Sequence, residues 1–532
     1  MTTPSTHTGP TALPHAPRRK LPIGIQTFRE IREDNCYYVD KTGMAVDLVH
    51  TGKAYFLSRP RRFGKSLFLD TLKELFEGNR ALFTGLAADS QWDWGTHHPV
   101  IRISFSDGVL QSREALDQRI SEILLDNQRR LDVQCTHQSL GGQFAELIAL
   151  AHQTHGQRAV VLIDEYDKPI LDNIDHRAVA TEMREGLKNL YSVLKGADEH
   201  LKFVFLTGVS KFSKVSLFSG LNNLTDITLD ERYSALCGYT DADVDTVFAP
   251  ELVGLDRQQI RDWYNGYNWL GTSVYNPFDL LLLFRSREFR PYWFETGTPT
   301  FLVKLLTERQ FFTPNLSRLH ASESLLSAFD VEAISTEALL WQTGYLTLAG
   351  ARKTGARTIY ALAYPNLEVR SGLNDALLKG LMGDASLAEQ VQTRLFDTLT
   401  ALDFDALKVH FQSLYGGIAH QWYTSNPIAQ YEGFYASVFY SHFAALGLDI
   451  RLENPTNQGR IDMTLLFGGQ VFVFEFKVVE SNPNGSALQQ IKDMGYADKY
   501  RARGEPIHLV GVEFSKASRN IVGFGVETLA VL

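Results

Sequence analysis

Two patterns of apolar residues organise the chain. In the first half, short runs that are apolar at nearly every position recur at 54–57, 100–105, 159–163 and 203–208, with a shorter candidate at 227–229. Such runs suit strands buried on both faces, as in a parallel sheet. Between them, apolar residues return every three or four positions, as at Leu67, Phe68, Leu72, Leu75 and Phe76 and again across 144–151, which predicts helices. The C-terminal part reads differently. A helix over 431–446 leads to a strand over 448–453, and residues 459–477 predict a β-hairpin, two β-branched or aromatic runs joined by Gly468-Gly469. A helix from 487 to 500 and a strand over 507–514 complete an α-β-β-β-α-β order.

The hairpin carries chemistry. With Gly468 and Gly469 as the two central turn residues, Phe467 pairs with Gln470, and counting outward sets Asp462 opposite Glu475. Cross-strand partners share a face with Cβ atoms roughly 5 Å apart. Two carboxylates so placed repel each other, and a divalent cation between them removes that cost. Lys477 points to the same face as Glu475. The plainer alternative is a solvated polar face on which Arg460 and Lys477 neutralise the acids.

A second chemical signal lies where the run at 54–57 passes through Ser58-Arg59-Pro60-Arg61-Arg62-Phe63-Gly64-Lys65-Ser66 into a helix. Strand, Gly-Lys-Ser loop, helix is the context of a phosphate-binding loop, with free N–H groups at a helix N-terminus favouring an anion. Lys65 would reach the terminal phosphates and the Ser66 hydroxyl would coordinate magnesium, within a cradle formed by Arg62, Phe63 and Gly64. Arg59 stands where such loops usually have their first glycine. The run 159–163 ends in Asp164 and Glu165, acids at the C-terminal edge of a strand, where ligands bind in open α/β sheets. Asp164 is expected to support the magnesium and Glu165 to orient and polarise the attacking water. A helix cap involving Asp167 and Lys168 is the plainer reading of that segment. The run 203–208 ends in polar residues, and Thr207 or Ser210 is expected to sense the γ-phosphate.

Residues 240–430 carry fewer signals. Asp262-Trp263-Tyr264-Asn265-Gly266-Tyr267 and Tyr275-Asn276-Pro277-Phe278 read as aromatic turns that pack rather than stack on bases. A helix at 337–340 followed by a hairpin through Lys353-Thr354-Gly355 suggests a winged-helix-like unit, and 385–430 reads as helical.

Composition narrows the classes. The 532 residues allow two or three domains. A formal net charge of −9 means that any nucleic-acid reading needs a local basic surface, and 487–520 supplies only six Lys/Arg against four acids. Cys36, Cys135 and Cys237 are too dispersed for a zinc module and argue for a reducing compartment. The Thr-, Pro- and His-rich start lacks the apolar core of a secretory signal, and no run approaches the ~20 apolar residues of a membrane span, so a cytoplasmic location is expected.

Asp462, the hairpin turn and Glu475-Phe476-Lys477, with their flanking elements, resemble the PD-(D/E)XK nuclease superfamily. Residues 59–66, 162–167 and 207–213 together resemble the bacterial AAA-ATPase-like family, whose loops also lack the first glycine and whose members commonly end in a PD-(D/E)XK domain. The resemblance spans about residues 20–520 and implies an α/β protein. A disordered tail (1–18) precedes a P-loop NTPase parallel sheet with flanking helices (19–240). A helical region (241–330), a winged-helix-like unit (331–384) and a helical connector (385–428) lead to an α/β restriction-endonuclease-like core (429–532). It further implies ATP and Mg2+ as cofactors, with Mn2+ able to serve at the nuclease-like site. There Asp462, Glu475 and Glu432 would hold metal, Lys477 would act on the attacking water, and Gln490 would support the site from the following helix. The expected function is ATP hydrolysis controlling cleavage of nucleic acid, DNA in the first instance, by a chain that self-assembles into a homo-oligomer in one version. Arg61, Arg62 and Arg232 are the candidates for an arginine finger. Two rivals stand beside this: an ATP-dependent switch or scaffold whose nuclease-like domain binds without cutting, and an ATPase acting on a small molecule or protein.

Overall fold

The computed structural model describes residues 18–211, 223–296, 302–303, 305–306, 316, 319–326, 335–418, 432–456 and 459–530, without the side chains of 432–434 and 453–454. It divides into two units. Residues 1–173, 178–209 and 214–289 form the first, and residues 290–532 form the second together with 174–177 and 210–213.

The first unit is built on a five-stranded sheet in the order β2-β3-β4-β1-β5, where β1 is Ala54–Ser58, β2 Val100–Ser104, β3 Ala159–Asp164, β4 Leu201–Gly208 and β5 Thr225–Asp226. Every pairing is parallel. Strands β1 and β3 are buried along their whole length, as their unbroken apolar sequences require. The helices Lys65–Phe76 (α1), Arg113–Arg130 (α2) and Leu140–His155 (α3) pack on the sheet, and Arg177–Gly196 (α4) precedes β4. The fifth strand lies two residues earlier than its apolar sequence suggests. Ile227 still donates to the Phe56 carbonyl, but the Thr228 hydroxyl takes over the Ser58 N–H and ends the ladder.

In the second unit, Thr336–Thr343 (α5) precedes the hairpin of β7 (Thr347–Thr354) and β8 (Arg357–Ala363). Strand β6 (Leu319–Ser322) pairs with β8, giving an antiparallel sheet in the order β6-β8-β7 that draws on residues upstream of the expected winged-helix-like unit. Helices Leu367–Met382 (α6), Ala385–Thr400 (α7), Phe404–Gly416 (α8) and Glu432–Ala445 (α9) lead to a second five-stranded sheet, order β13-β12-β11-β10-β9. Its strands are β9 Asp449–Pro455, β10 Arg460–Phe467, β11 Gln470–Val479, β12 Ile507–Ser515 and β13 Asn520–Leu529. Only β11 and β12 run parallel. Helix α10 (Ser486–Asp493) makes the crossover between them. The helix expected to reach 500 breaks at Gly495, whose φ of +57° no helix accommodates, and continues as a 3₁₀ turn, Tyr496–Arg503.

Alternation along β11 divides the core. Phe472, Phe474 and Phe476 pack with Phe411, Phe439 and Phe443 of α8 and α9. Val471 and Val473 pack with Ile491, Tyr496 and Tyr500 on the opposite face. Glu475 and Lys477 follow the second set, so the strand period alone aims them at the α10 side.

Candidate functional site

In the first unit, β1 runs into the loop Arg59–Gly64, and Gly64 begins α1 from a left-handed conformation, φ +93°. Arg62 is also left-handed, at φ +71°. The Lys65 ammonium donates to the Arg59 and Pro60 carbonyls at 3.0 and 2.9 Å, which curls the loop around it with two of its three donors. Burial lowers its pKa, against the opposing field of Asp164. Arg59 serves the fold. It is fully buried and donates to the carbonyls of Ser58, Thr228 and Tyr233, and its guanidinium lies 4.1 Å from the centre of the Trp269 ring. Long-range packing thus holds the loop's entry where a glycine turn is more usual.

A cavity of about 540 Å³ opens at this loop, within the range of roughly 300–1,000 Å³ common for small-molecule sites. Arg62, Phe63, Gly64, Lys65 and Ser66 line it, and so do Glu165, Asp167 and Lys168 from the end of β3. The segment Pro22–Gln26 and residues Tyr38, Pro277 and Phe278 form other parts of the wall. The Phe63 side chain is buried against Tyr267 and Trp269, so it meets the cavity mainly as backbone. The Arg62 guanidinium lies 4.7 Å from the Phe278 ring centre.

Asp164 ends β3, buried, and accepts the Glu165 N–H. Glu165 takes a left-handed conformation, φ +51°, rare for a residue with a side chain. Burial and the neighbouring Asp164 charge raise its pKa, which suits a group that must attract a proton from water. Asp167 occupies the N-cap position of the short helix Lys168–Leu171 but makes no side-chain bond to it. Its carboxylate accepts the Val209 N–H at 3.1 Å and ties the end of β3 to the end of β4. The Lys168 ammonium donates to the Gly108 carbonyl and to Asp172 and bears electrostatically on Glu165. Asp167 and Lys168 read in sequence only as helix-capping residues. Thr207 is buried, its hydroxyl donating to the Leu57 carbonyl, and it is not among the residues that line the cavity. Ser210 is buried and belongs to the second unit.

The second site lies in the C-terminal sheet. The register counted from the turn holds: Phe467 pairs with Gln470 and Met463 with Phe474, one step before Asp462 and Glu475. Both turn glycines have positive φ, +59° and +72°, as a type I′ turn requires. Beyond Met463 the strands part, and Asp462 accepts the Phe476 N–H at 2.9 Å. Glu475 is 1% exposed. Its Oε1 accepts from the Gln490 amide on α10 and lies 3.4 Å from the Lys477 ammonium. Lys477 is 30% exposed. Glu475, Lys477 and Gln490 therefore meet, and Asp462 bonds the backbone of the residue between Glu475 and Lys477. The side chain of Glu432, at the start of α9, lies outside the described residues.

The donor set suits a hard divalent cation: carboxylates from neighbouring strands, one deeply buried, with the Phe476 carbonyl adjacent in the chain. Among the described residues no cluster of three or more His, Cys, Asp or Glu side chains forms a metal site, so the Phe476 carbonyl or Glu432 would complete the set. Among the described residues no helix is long and apolar enough to cross a membrane.

Comparison with known proteins finds matches to both parts of the chain. The family model described as "Predicted AAA-ATPase" matches residues 22–218, and the model of the PD-(D/E)XK nuclease superfamily matches residues 430–524. Over 513 residues the chain is 62% identical to the "Uncharacterized protein in vnfD 5′region" of Azotobacter chroococcum mcd 1, covering 96% of this chain and 99% of that one. The chain belongs to the AAA-ATPase-like family and carries a PD-(D/E)XK nuclease superfamily domain at its C-terminal end.

Proposed function

We propose that the chain binds and hydrolyses ATP in its first unit, and that its C-terminal core cleaves phosphodiester bonds in nucleic acid under control of that ATPase. The observation that carries the reading is the meeting of Glu475 with Lys477 and Gln490, with Asp462 bonded to the Phe476 backbone between them, in the same chain as a loop–helix cavity lined by Lys65, Ser66 and Glu165.

In the first site the α1 N–H groups and Lys65 would hold the phosphates, Ser66 and Asp164 would supply oxygen ligands for magnesium, and Glu165 would draw a proton from the attacking water. In the second, Asp462, Glu475 and the Phe476 carbonyl would hold Mg2+ or Mn2+, with Glu432 as a further ligand. A bound divalent ion supplies charge stabilisation at the phosphate and lowers the pKa of water. Lys477 would orient an attacking water and bear on the developing charge, and Gln490 holds the Glu475 carboxylate.

One observation favours a second reading, in which the domain binds nucleic acid or a partner without cutting. Residues 429–532 contain nine Lys/Arg against eleven Asp/Glu. Lys492, Arg501, Arg503 and Lys516 each pair with a carboxylate, which weakens any basic track for a phosphate backbone. Two titrations test the proposal. Lys65→Ala and Glu165→Gln should abolish ATP turnover while Glu165→Gln still binds ATP, and Asp462→Ala should abolish Mn2+ binding to the C-terminal site. Turnover unchanged in both ATPase variants, or Mn2+ binding indifferent to Asp462, contradicts it.

A further inference from the structure

We propose that Glu513 is a positioning residue of the nuclease-like site: it anchors the start of α10 and thereby aims Gln490 at Glu475. This inference rests on the metal-site reading above. Glu513 lies on β12 in direct register with Lys477 on β11, just as Gly511 pairs with Glu475. A third carboxylate on this face invites the reading of a third metal ligand. Its bonding points elsewhere. Oε2 accepts the N–H groups of Asn484 and Gly485 at 2.8 and 3.2 Å, and Oε1 accepts the Ser486 hydroxyl and the Ala487 N–H at 3.1 and 3.3 Å.

Those four donors are the entry to α10, whose N-cap residue, Gly485, offers no side chain of its own. A carboxylate from another strand thus does what an N-cap Ser or Asp does locally. Its charge also suits the positive end of the helix. Burial pushes the Glu513 pKa up, but the backbone and Ser486 donors outweigh it and hold the carboxyl below its ordinary value.

The sheet is shaped for this contact. A Cβ on Gly511 would lie 2.2 Å from the Leu488 nitrogen, so α10 rests directly on β12. A Cβ on Gly523, the partner of Glu513 on β13, would lie 2.7 Å from Glu513 Oε2, and the ladder shifts register between Glu513 and Phe514. Gln490 follows the anchored turn and donates to Glu475. Glu513's four bonds all go to residues 484–487, so it acts through the helix.

A double-variant cycle read by Mn2+ affinity and by cleavage rate tests this on the full chain. Glu513→Gln keeps the shape but turns an amide NH2 toward N–H donors. It should weaken Mn2+ binding about 10-fold, the usual scale for residues that orient metal ligands. Gln490→Ala should do the same, and Glu513→Gln in the Gln490→Ala background should add nothing. Hydrogen exchange at Asn484, Gly485 and Ala487 should quicken in both Glu513→Gln proteins. If Glu513→Gln does not fold, Ser486→Ala removes a single donor, with an expected loss of about 3-fold, and closes the same cycle. Losses that multiply across the pair, or Mn2+ binding unmoved by either variant, overturn the role of Glu513. Wild-type protein that binds no Mn2+ fails one step earlier, at the metal site itself, and takes this proposal with it.

Discussion

Arg59 offers the sharpest test of how the phosphate-binding loop is built. If its guanidinium replaces a glycine turn by long-range bonding, Arg59→Ala removes three hydrogen bonds to carbonyls and the stacking on Trp269 at once. A bond to a charged donor contributes roughly 1.5–3 kcal/mol and a desolvated cation–π contact about 2 kcal/mol. Against this stands the cost of burying the cation, evident in a pKa pushed down to about 10 by burial. The bonds and the contact together are worth roughly 6–11 kcal/mol, and a desolvation cost of several kcal/mol leaves a net loss of about 4 kcal/mol, a large share of the roughly 5–15 kcal/mol that holds a domain folded. For a unit of this size it corresponds to a fall in Tm of about 12 °C. Scanning calorimetry of the full chain reads it as one transition moving down. Arg59→Gly, which restores the more usual loop residue, should be at least as damaging because glycine adds backbone freedom. Glycine tolerated at position 59, with no transition displaced by more than about 2 °C, refutes the reasoning.

Two further outcomes are expected. The buried pair His410 and His442, joined Nε2 to Nε2 at 2.8 Å, is held neutral by burial, His410 down to about 4 and His442 well below its ordinary value. The folded chain then binds fewer protons than the unfolded chain below about pH 6.5, so stability is complete above that pH and falls as pH drops toward 4, by about 1.4 kcal/mol per unit for each histidine. The drop in urea midpoint from pH 7 to pH 5 should shrink in a His410→Leu/His442→Leu variant, and an identical drop would count against the pair. Gly511→Ala should push α10 off β12 and lower both stability and Mn2+ affinity, since its Cβ would meet the Leu488 nitrogen at 2.2 Å; a variant with wild-type affinity contradicts that packing.

What the sequence revealed was local. The Gly468-Gly469 turn fixed a register that the sheet keeps as far as Met463 and Phe474, and the unbroken apolar run before Asp164 announced a strand buried on both faces. Positions whose meaning depends on distant partners were silent. Arg59 looked like a damaged motif because Thr228, Tyr233 and Trp269 lie far along the chain. Glu513 had no local sign of a cap because the helix it anchors precedes it by more than twenty residues. Strand β13 was missed because Gly523 and Gly525 weaken its pattern, although close packing against Glu513 and Leu488 accounts for both glycines. Thr207, expected to sense a phosphate, donates its hydroxyl to the Leu57 carbonyl, a partner 150 residues away that its own stretch of sequence does not announce.

The measurement that bears most directly on an ATP-controlled nuclease is cleavage of single- and double-stranded DNA and RNA with Mg2+, with and without ATP, by wild type, Asp462→Ala and Glu165→Gln. The account predicts that wild type cuts at least one substrate at a rate that depends on ATP, that Asp462→Ala cuts none, and that Glu165→Gln binds ATP but loses the response to its hydrolysis. Cleavage that survives Asp462→Ala, or that proceeds equally with and without ATP, contradicts it.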